Sequence, residues 1–250
     1  MTPRLRREDL VRMALRSSLL QATWNYERQQ GLGWAWALQP ALDRLYPGSL
    51  ERCERLAEHT AFFNTQPTMA SLALGAVAGL EERRAAGEGP DTDGMRRVKS
   101  ALGSALAALG DRLFWFSLRP FAACVGVLLT LSGSRWGGLG LWLCYNLVHQ
   151  SLRLWGVGWG YREGPEVLGA ALRRRLERLT RLVGQLGSAL VGVTIAVLLA
   201  PGGDSRPVSF QALLAIGLAA GLVVAHRGRP SPTAWALGAG FVSLAAVWFG

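Results

Sequence analysis

The residues most able to do chemistry are polar side chains set in apolar surroundings. Arg119, followed by Pro120, lies within the apolar stretch Leu113–Leu131. An arginine there is costly unless it is paired or faces a cavity, which makes it a functional candidate. The proline beside it removes a backbone donor and interrupts helical hydrogen bonding. In the next apolar stretch, Leu139–Trp159, Asn146, His149 or Gln150, and Arg153 fall on one helical stripe. That stripe should face protein or water, and Arg153 could equally reach a membrane edge. Two polar breaks, Asn64-Thr65-Gln66-Pro67 and Gly110-Asp111, flank short apolar runs.

Other familiar chemistry is missing from the sequence. It contains no GxxxxGK[ST] phosphate cradle, no H-E-x-x-H, no CxxC and no G-x-S-x-G elbow. His59, His149 and His226 are far apart, and Cys53, Cys124 and Cys144 lack metal-ligand spacing. Neither a self-contained catalytic site nor a cofactor or metal is expected. Binding, transport or a share in a multi-subunit reaction is.

Composition agrees. Half of the 250 residues are hydrophobic and 18% are charged, so disorder is excluded. The 31 glycines have no period of three, which excludes collagen. The net charge is +10, with one lysine, Lys99, against 26 arginines, a balance that reads as the codon habit of a GC-rich genome. A basic chain can serve nucleic acid or membrane, and the position of the charges decides. From Phe121 to Gly160 only Arg135 and Arg153 are charged, and from Gly184 to Gly250 only Asp204, Arg206, Arg227 and Arg229. Such bare stretches argue for a lipid bilayer and against nucleic acid.

The elements that must position these residues are helical. MTPRLRREDLVRMALRSSLL places charged and apolar residues at helical spacing and reads as an amphipathic helix rather than a cleavable signal. Met69–Leu80 and Ala101–Leu109 are too short to span and read as re-entrant half-helices with polar breaks. Ser71, Gly75 and Gly79 recur every four residues, a pattern that lets helices approach closely. The intervening charged linker, Glu81–Lys99, should lie in water. Gln185–Ala200, Phe210–Ala225 and Thr233–Phe249 read as three short transmembrane helices, each about 24–26 Å long. The basic cluster Ala171–Arg181 and the group His226, Arg227 and Arg229 should stay cytoplasmic, leaving the C-terminus outside. The expected fold is an all-α membrane protein: amphipathic N-terminal helices in 1–67, a re-entrant and membrane core region in 68–161, a basic cytoplasmic segment in 162–183, and three transmembrane helices in 184–250.

Four ordered segments carry a resemblance. Gln21–Pro47 (QATWNYERQQGLGWAWALQPALDRLYP), His59–Glu82 (HTAFFNTQPTMASLALGAVAGLEE), Val98–Pro120 (VKSALGSALAALGDRLFWFSLRP) and Leu154–Gly164 (LWGVGWGYREG) resemble signature segments of one family. This is the IID membrane subunit of the mannose/fructose/sorbose-family phosphoenolpyruvate-dependent sugar phosphotransferase system. The resemblance implies a single IID-type subunit in the bacterial inner membrane, multi-pass, with a cytoplasmic N-terminus. It implies a translocator formed with a IIC membrane subunit, served by IIB and IIA phosphocarriers in a hetero-oligomer. The subunit would be non-catalytic and carry no phosphohistidine. The substrate would be a hexose or amino sugar imported as IIB phosphorylates it.

Carried onto the matching positions, the resemblance implies substrate-side roles for Trp24, Asn25, Glu27, Asn64, Thr65 and Asp111. Their amides, carboxylates and hydroxyl suit sugar hydroxyls, and Trp24 could stack on a pyranose face. Arg28 and Arg119 would supply a structural ion pair or gating, with Asp111 or Glu27 as Arg119's partner. Asp111 could equally cap a following helix. The chain departs from the family at 104–112. Ser104-Ala105 stands where the family has Gly-Pro, and Arg112 replaces a proline usual after the aspartate. Loss of that hinge motivates a second reading, a non-transporting scaffold or sensor for the phosphocarriers. A third reading is a peripheral membrane-shaping protein whose arginines bind anionic lipid.

Overall fold

Helix α1, Arg7–Arg16, begins with Glu8 and Asp9 and ends with Arg16, charges that suit the helix dipole. The Asp9 carboxylate accepts the Arg6 N–H at 2.9 Å and Arg44 Nε at 3.1 Å. A single 3₁₀ turn, Ser17–Leu19, follows. The helices α2, Gly31–Leu45, and α3, Ser49–His59, complete the N-terminal layer. Next come α4, Ala70–Ala85, α5, Thr92–Leu113, α6, Arg119–Leu131, α7, Gly137–Glu163, and α8, Ala170–Leu199. This computed structural model describes residues 4–199. The expected spans Phe210–Ala225 and Thr233–Phe249 lie outside the described residues, as does Ala200 at the end of the first. The described residues up to Ser188 pack as one compact unit, and the candidate site lies within it.

The most extensive helix–helix contact is α4 on α7. The small-residue stripe makes it. A Cβ on Gly75 would collide with the Val157 carbonyl, and one on Gly160 with the Leu72 carbonyl. Gly156 sits directly against Ser71 Oγ, which lies 3.1 Å from the Leu152 carbonyl oxygen. The two backbones therefore touch, and α4 is buried along almost its whole length.

Two expectations change here. Ala101–Leu109 is not a separate half-helix. The chain stays helical from Thr92 to Leu131, 40 residues, through a single wide π turn at Phe114–Leu118. Gly110 does not break the helix because its missing side chain is filled by a neighbour: a Cβ there would meet Gln66 Cβ at 2.6 Å. Pro120 lacks an N–H, and the wide turn before it absorbs the mismatch. Within that turn Ser117 Oγ donates to the Arg112 carbonyl at 2.9 Å. Among the described residues this is the one helix long and apolar enough to cross a membrane, with a mean hydropathy of 1.6 over its most apolar window.

The second correction concerns Glu81–Lys99. Helices α4 and α5 claim both ends of this segment, and both end residues are buried, Glu81 at 0% and Lys99 at 5% exposure. Arg153 also turns inward. Its guanidinium donates to the Ser17 carbonyl at the C-terminal end of α1 and to His149 Nε2 at 3.2 Å. It is an internal strut rather than a snorkelling residue, because a cation is favoured at a helix C-terminus.

Gly75→Ala or Gly160→Ala should push α4 off α7 at a cost of about 1–3 kcal/mol. The expected outcome is a lower unfolding temperature of the purified protein. Gly138→Ala, on α7 with open space above it, should not lower that temperature.

Candidate functional site

The loop 21–30 and the loop 60–67 lie side by side. Gln30 N–H donates to the Phe63 carbonyl at 2.9 Å, and Phe63 N–H to the Arg28 carbonyl at 3.3 Å. Gln30 and Thr65 exchange an amide pair, Nε2 to the Thr65 carbonyl at 2.7 Å and Thr65 N–H to Oε1 at 3.0 Å. Thr65 Oγ1 donates to the Gly103 carbonyl of α5 at 2.9 Å. Gln66 Oε1 accepts the Thr68 and Met69 N–H groups at 2.8 and 3.0 Å, satisfying donors at the start of α4. The polar break at 64–67 thus forms a joint that locks two loops onto α5.

Beside this joint opens a cavity of about 510 Å³, lined among others by Glu58, Phe62, Asn64, Arg96, Lys99 and Ser100. Lys99 is its most unusual component. The buried ammonium donates to the His59 carbonyl at 3.2 Å and stands over the Trp34 ring at 5.3 Å. No carboxylate lies within ion-pair distance of it among the described residues. An ammonium has three donors, so the hydrogen bond to His59 leaves two for an oxygen-rich guest.

A buried polar chain stands behind Lys99. Trp34 Nε1 lies 3.5 Å from His59 Nδ1, and His59 Nε2 lies 3.1 Å from Glu81 Oε1. Indole can only donate, so Nδ1 must accept and Nε2–H must donate to Glu81. His59 is therefore neutral, and burial holds its imidazole below the ordinary value despite the neighbouring Glu81. Glu81 also accepts the Tyr46 hydroxyl at 2.6 Å and Arg84 Nη1 at 3.4 Å. Arg84 reaches on to Glu58 at 3.0 Å. Burial pushes the Glu58 carboxyl up, but Arg84 outweighs this and holds it below the usual carboxylate range.

Of the eight candidate residues, Asn64 alone lines the cavity. Thr65 is buried in the joint. Asn25 forms the turn before it, with Oδ1 accepting the Glu27 and Arg28 N–H groups at 3.1 and 2.8 Å. That turn holds Gln29 at a left-handed φ of 52°, a conformation usually left to glycine. Trp24 is half-exposed and packs edge-on to Tyr26 at 5.0 Å, and Glu27 faces solvent. Arg28 donates to Thr60 Oγ1 at 3.1 Å. Asp111 lies inside continuous helix, so it caps nothing. The expected ion pairs of Arg28 and Arg119 do not form among the described residues. Arg119 instead projects outward from its helix, and its guanidinium covers the Trp115 ring at 4.9 Å, one turn away.

Lys99, His59 and Glu81 were missed from sequence. One signal for Lys99 was present, since a single lysine among 26 arginines marks a place where guanidinium does not serve.

A helix long and apolar enough to cross a membrane, forming one wall of this cavity, is the build of a membrane protein. Comparison gives the particular kind. The sequence profile of the phosphotransferase system mannose/fructose/sorbose family IID component matches residues 4–200. The chain is 37% identical over 193 residues to the mannose-specific EIID component of Escherichia coli K12, covering 77% of this chain and 68% of that one. It is 36% identical over 187 residues to the sorbose-specific EIID component of Klebsiella pneumoniae, covering 75% and 68%. Among solved structures, a cryo-EM complex of the mannose transporter ManYZ with microcin E492 matches at a TM-score of 0.63 and 28% identity, covering 99% of this chain and 98% of that one. Another, described only as a membrane protein, matches at 0.80 and 29% with the same coverage. The chain belongs to the IID component family of mannose-type sugar phosphotransferase systems.

Protonating His59 would set an Nδ1–H against the Trp34 N–H. The neutral imidazole's contribution is complete above its unfolded value near 6.5 and is lost as pH falls through the lower folded value. Thermal unfolding followed from pH 8 down to pH 5 (about the range in which histidine titrates) should show this decline. In His59→Gln the decline should be shallower. An equal decline in that variant would assign the effect to other groups.

Proposed function

We propose that this chain and a IIC membrane subunit form the translocator of a mannose-type system, in a hetero-oligomer served by IIB and IIA. It binds a hexose or amino sugar and imports it as IIB phosphorylates it. The observation that carries this reading is the shared cavity of Asn64 and Lys99: an amide that both donates and accepts, beside a buried cation with donors to spare. Sugar hydroxyls need that combination. Trp24, Asn25 and Glu27 stand on the turn next to the joint and meet the sugar where the IIC subunit closes the site. Thr65 acts by holding Asn64 in place. Asp111 serves the sugar from α5, and Arg28 and Arg119 gate the site from the loop and helix that face IIC. The protein resides in the bacterial inner membrane as a multi-pass chain, with α1 on the cytoplasmic side and the C-terminus outside. The short apolar helix α4 is its re-entrant element, packed within the membrane core region.

One observation favours the non-transporting alternative, a scaffold or sensor for phosphocarriers. Helix α5 runs unbroken through Ser104-Ala105 and Arg112, where the family resemblance implies glycine and proline.

The two readings separate in one experiment. Phosphoenolpyruvate-dependent uptake of labelled mannose, glucosamine and fructose is measured in a host lacking its own system, with the cognate IIC, IIA and IIB present. Uptake should occur. Asn64→Ala and Lys99→Met should each reduce it by about 10-fold or more, the loss of one charged or bidentate contact, while membrane assembly persists. An assembled complex that moves none of the sugars but binds phosphorylated IIB would establish the scaffold instead.

A further inference from the structure

Helix α1 lies along α7 and is fastened at both ends. At one end Arg153 holds the Ser17 carbonyl. At the other, Glu82 Oε2 accepts the Leu5 N–H at 2.9 Å and the Tyr161 hydroxyl at 2.6 Å. Between the fasteners the two helices do not close. They leave a groove of about 560 Å³, floored at Gly158, where open space stands over the missing side chain. Its walls are apolar and largely uncovered: Val11 and Leu154 are each 48% exposed and Trp155 is 75% exposed.

Two arginines, Arg7 from α1 and Arg162 from α7, line the same groove. Both are exposed, and neither has a carboxylate within ion-pair distance among the described residues. The nearby Glu82 is already taken by Leu5, Tyr161 and Arg4. An apolar trough bearing two unneutralised guanidinium groups has the chemistry of one kind of ligand: a hydrocarbon chain joined to a phosphate.

We infer that this groove binds one anionic phospholipid. The acyl chain lies along Val11, Leu154 and Trp155, and Arg7 and Arg162 hold the headgroup phosphate. Trp155 and Arg162 of α7 and Arg7 of α1 are side chains of the types that settle at the headgroup level of a bilayer. The lipid wedges α1 against α7 and so steadies the helix that Arg153 caps. The site is separate from the sugar cavity and stands whether or not sugar moves.

The test uses the complex with its IIC subunit, purified in detergent and supplied with phosphatidylglycerol or phosphatidylcholine of identical acyl chains. Bound lipid is counted by native mass spectrometry. Phosphatidylglycerol should be retained about 10-fold or more over phosphatidylcholine, the effect of two basic side chains near a headgroup. Arg7→Gln/Arg162→Gln should erase the preference, and Arg7→Lys/Arg162→Lys should keep most of it. Gly158→Leu, which fills the floor without touching either arginine, should remove the bound lipid. Equal retention of the two lipids, or retention indifferent to these variants, would overturn the inference. Displacement of phosphatidylglycerol by excess inorganic phosphate would overturn it too, by assigning the arginines to a free anion.

Discussion

The backbone-to-backbone contact of α4 and α7 governs the rest of this unit. Helices with ordinary side chains between them pack at axial separations of about 8–10 Å. Here Gly75, Gly156 and Gly160 leave no Cβ, and the Val157 carbonyl, the Ser71 hydroxyl and the Leu72 carbonyl occupy that space. A buried α4 surrounded by neighbours follows from this contact. So does the placement of Glu81 and Glu82 at its C-terminal end, one facing His59 and Tyr46, the other facing Tyr161 and Leu5. These two adjacent carboxylates point into different parts of the unit and fasten different layers.

The polar interior is economical in its use of charge. Glu81 is buried with a tyrosine, a neutral histidine and an arginine around it, so its oxygens are satisfied without a naked countercharge. Lys99 is treated differently. It is buried with a backbone carbonyl and two aromatic faces for company. Aromatic faces lower the cost of a buried cation without using up its donors. That distinction separates a carboxylate whose oxygens are all engaged from an ammonium with donors left over. Arg153 belongs with the first kind: its guanidinium is spent on the end of α1.

The half-helix expectation shows where pattern reading loses its grip. Ala101–Leu109 was bounded by a glycine and an aspartate, which commonly end helices. Helix α5 ignores both, because Gly110 is packed against Gln66 and Asp111 remains within an unbroken ladder. Ala105 and Arg112 stand where the family resemblance implies prolines, residues that would disrupt the helical ladder at those points. A similar lesson applies to Glu81–Lys99. Its charges and turn residues read as solvent-facing linker, yet only about six residues, 86–91, connect the helices. The charges at the two ends fold inward because complementary groups on α2 and α3 await them.

The sequence by itself determined the helical membrane character, the family and the small-residue face of α4. Each of these rests on local repetition: apolar length, four ordered motifs, and a period of four along one helix. It also singled out Asn64 and Thr65, because a polar break beside a proline is visible in a few consecutive letters. Only the tertiary structure decided that Thr65 builds while Asn64 faces a cavity, and that Lys99 lies beside it. Only the tertiary structure closed His59 onto Glu81, residues 22 positions apart on different helices. Whether a charge is solvated or satisfied internally depends on which groups meet it across space, and no spacing along one chain segment contains that information.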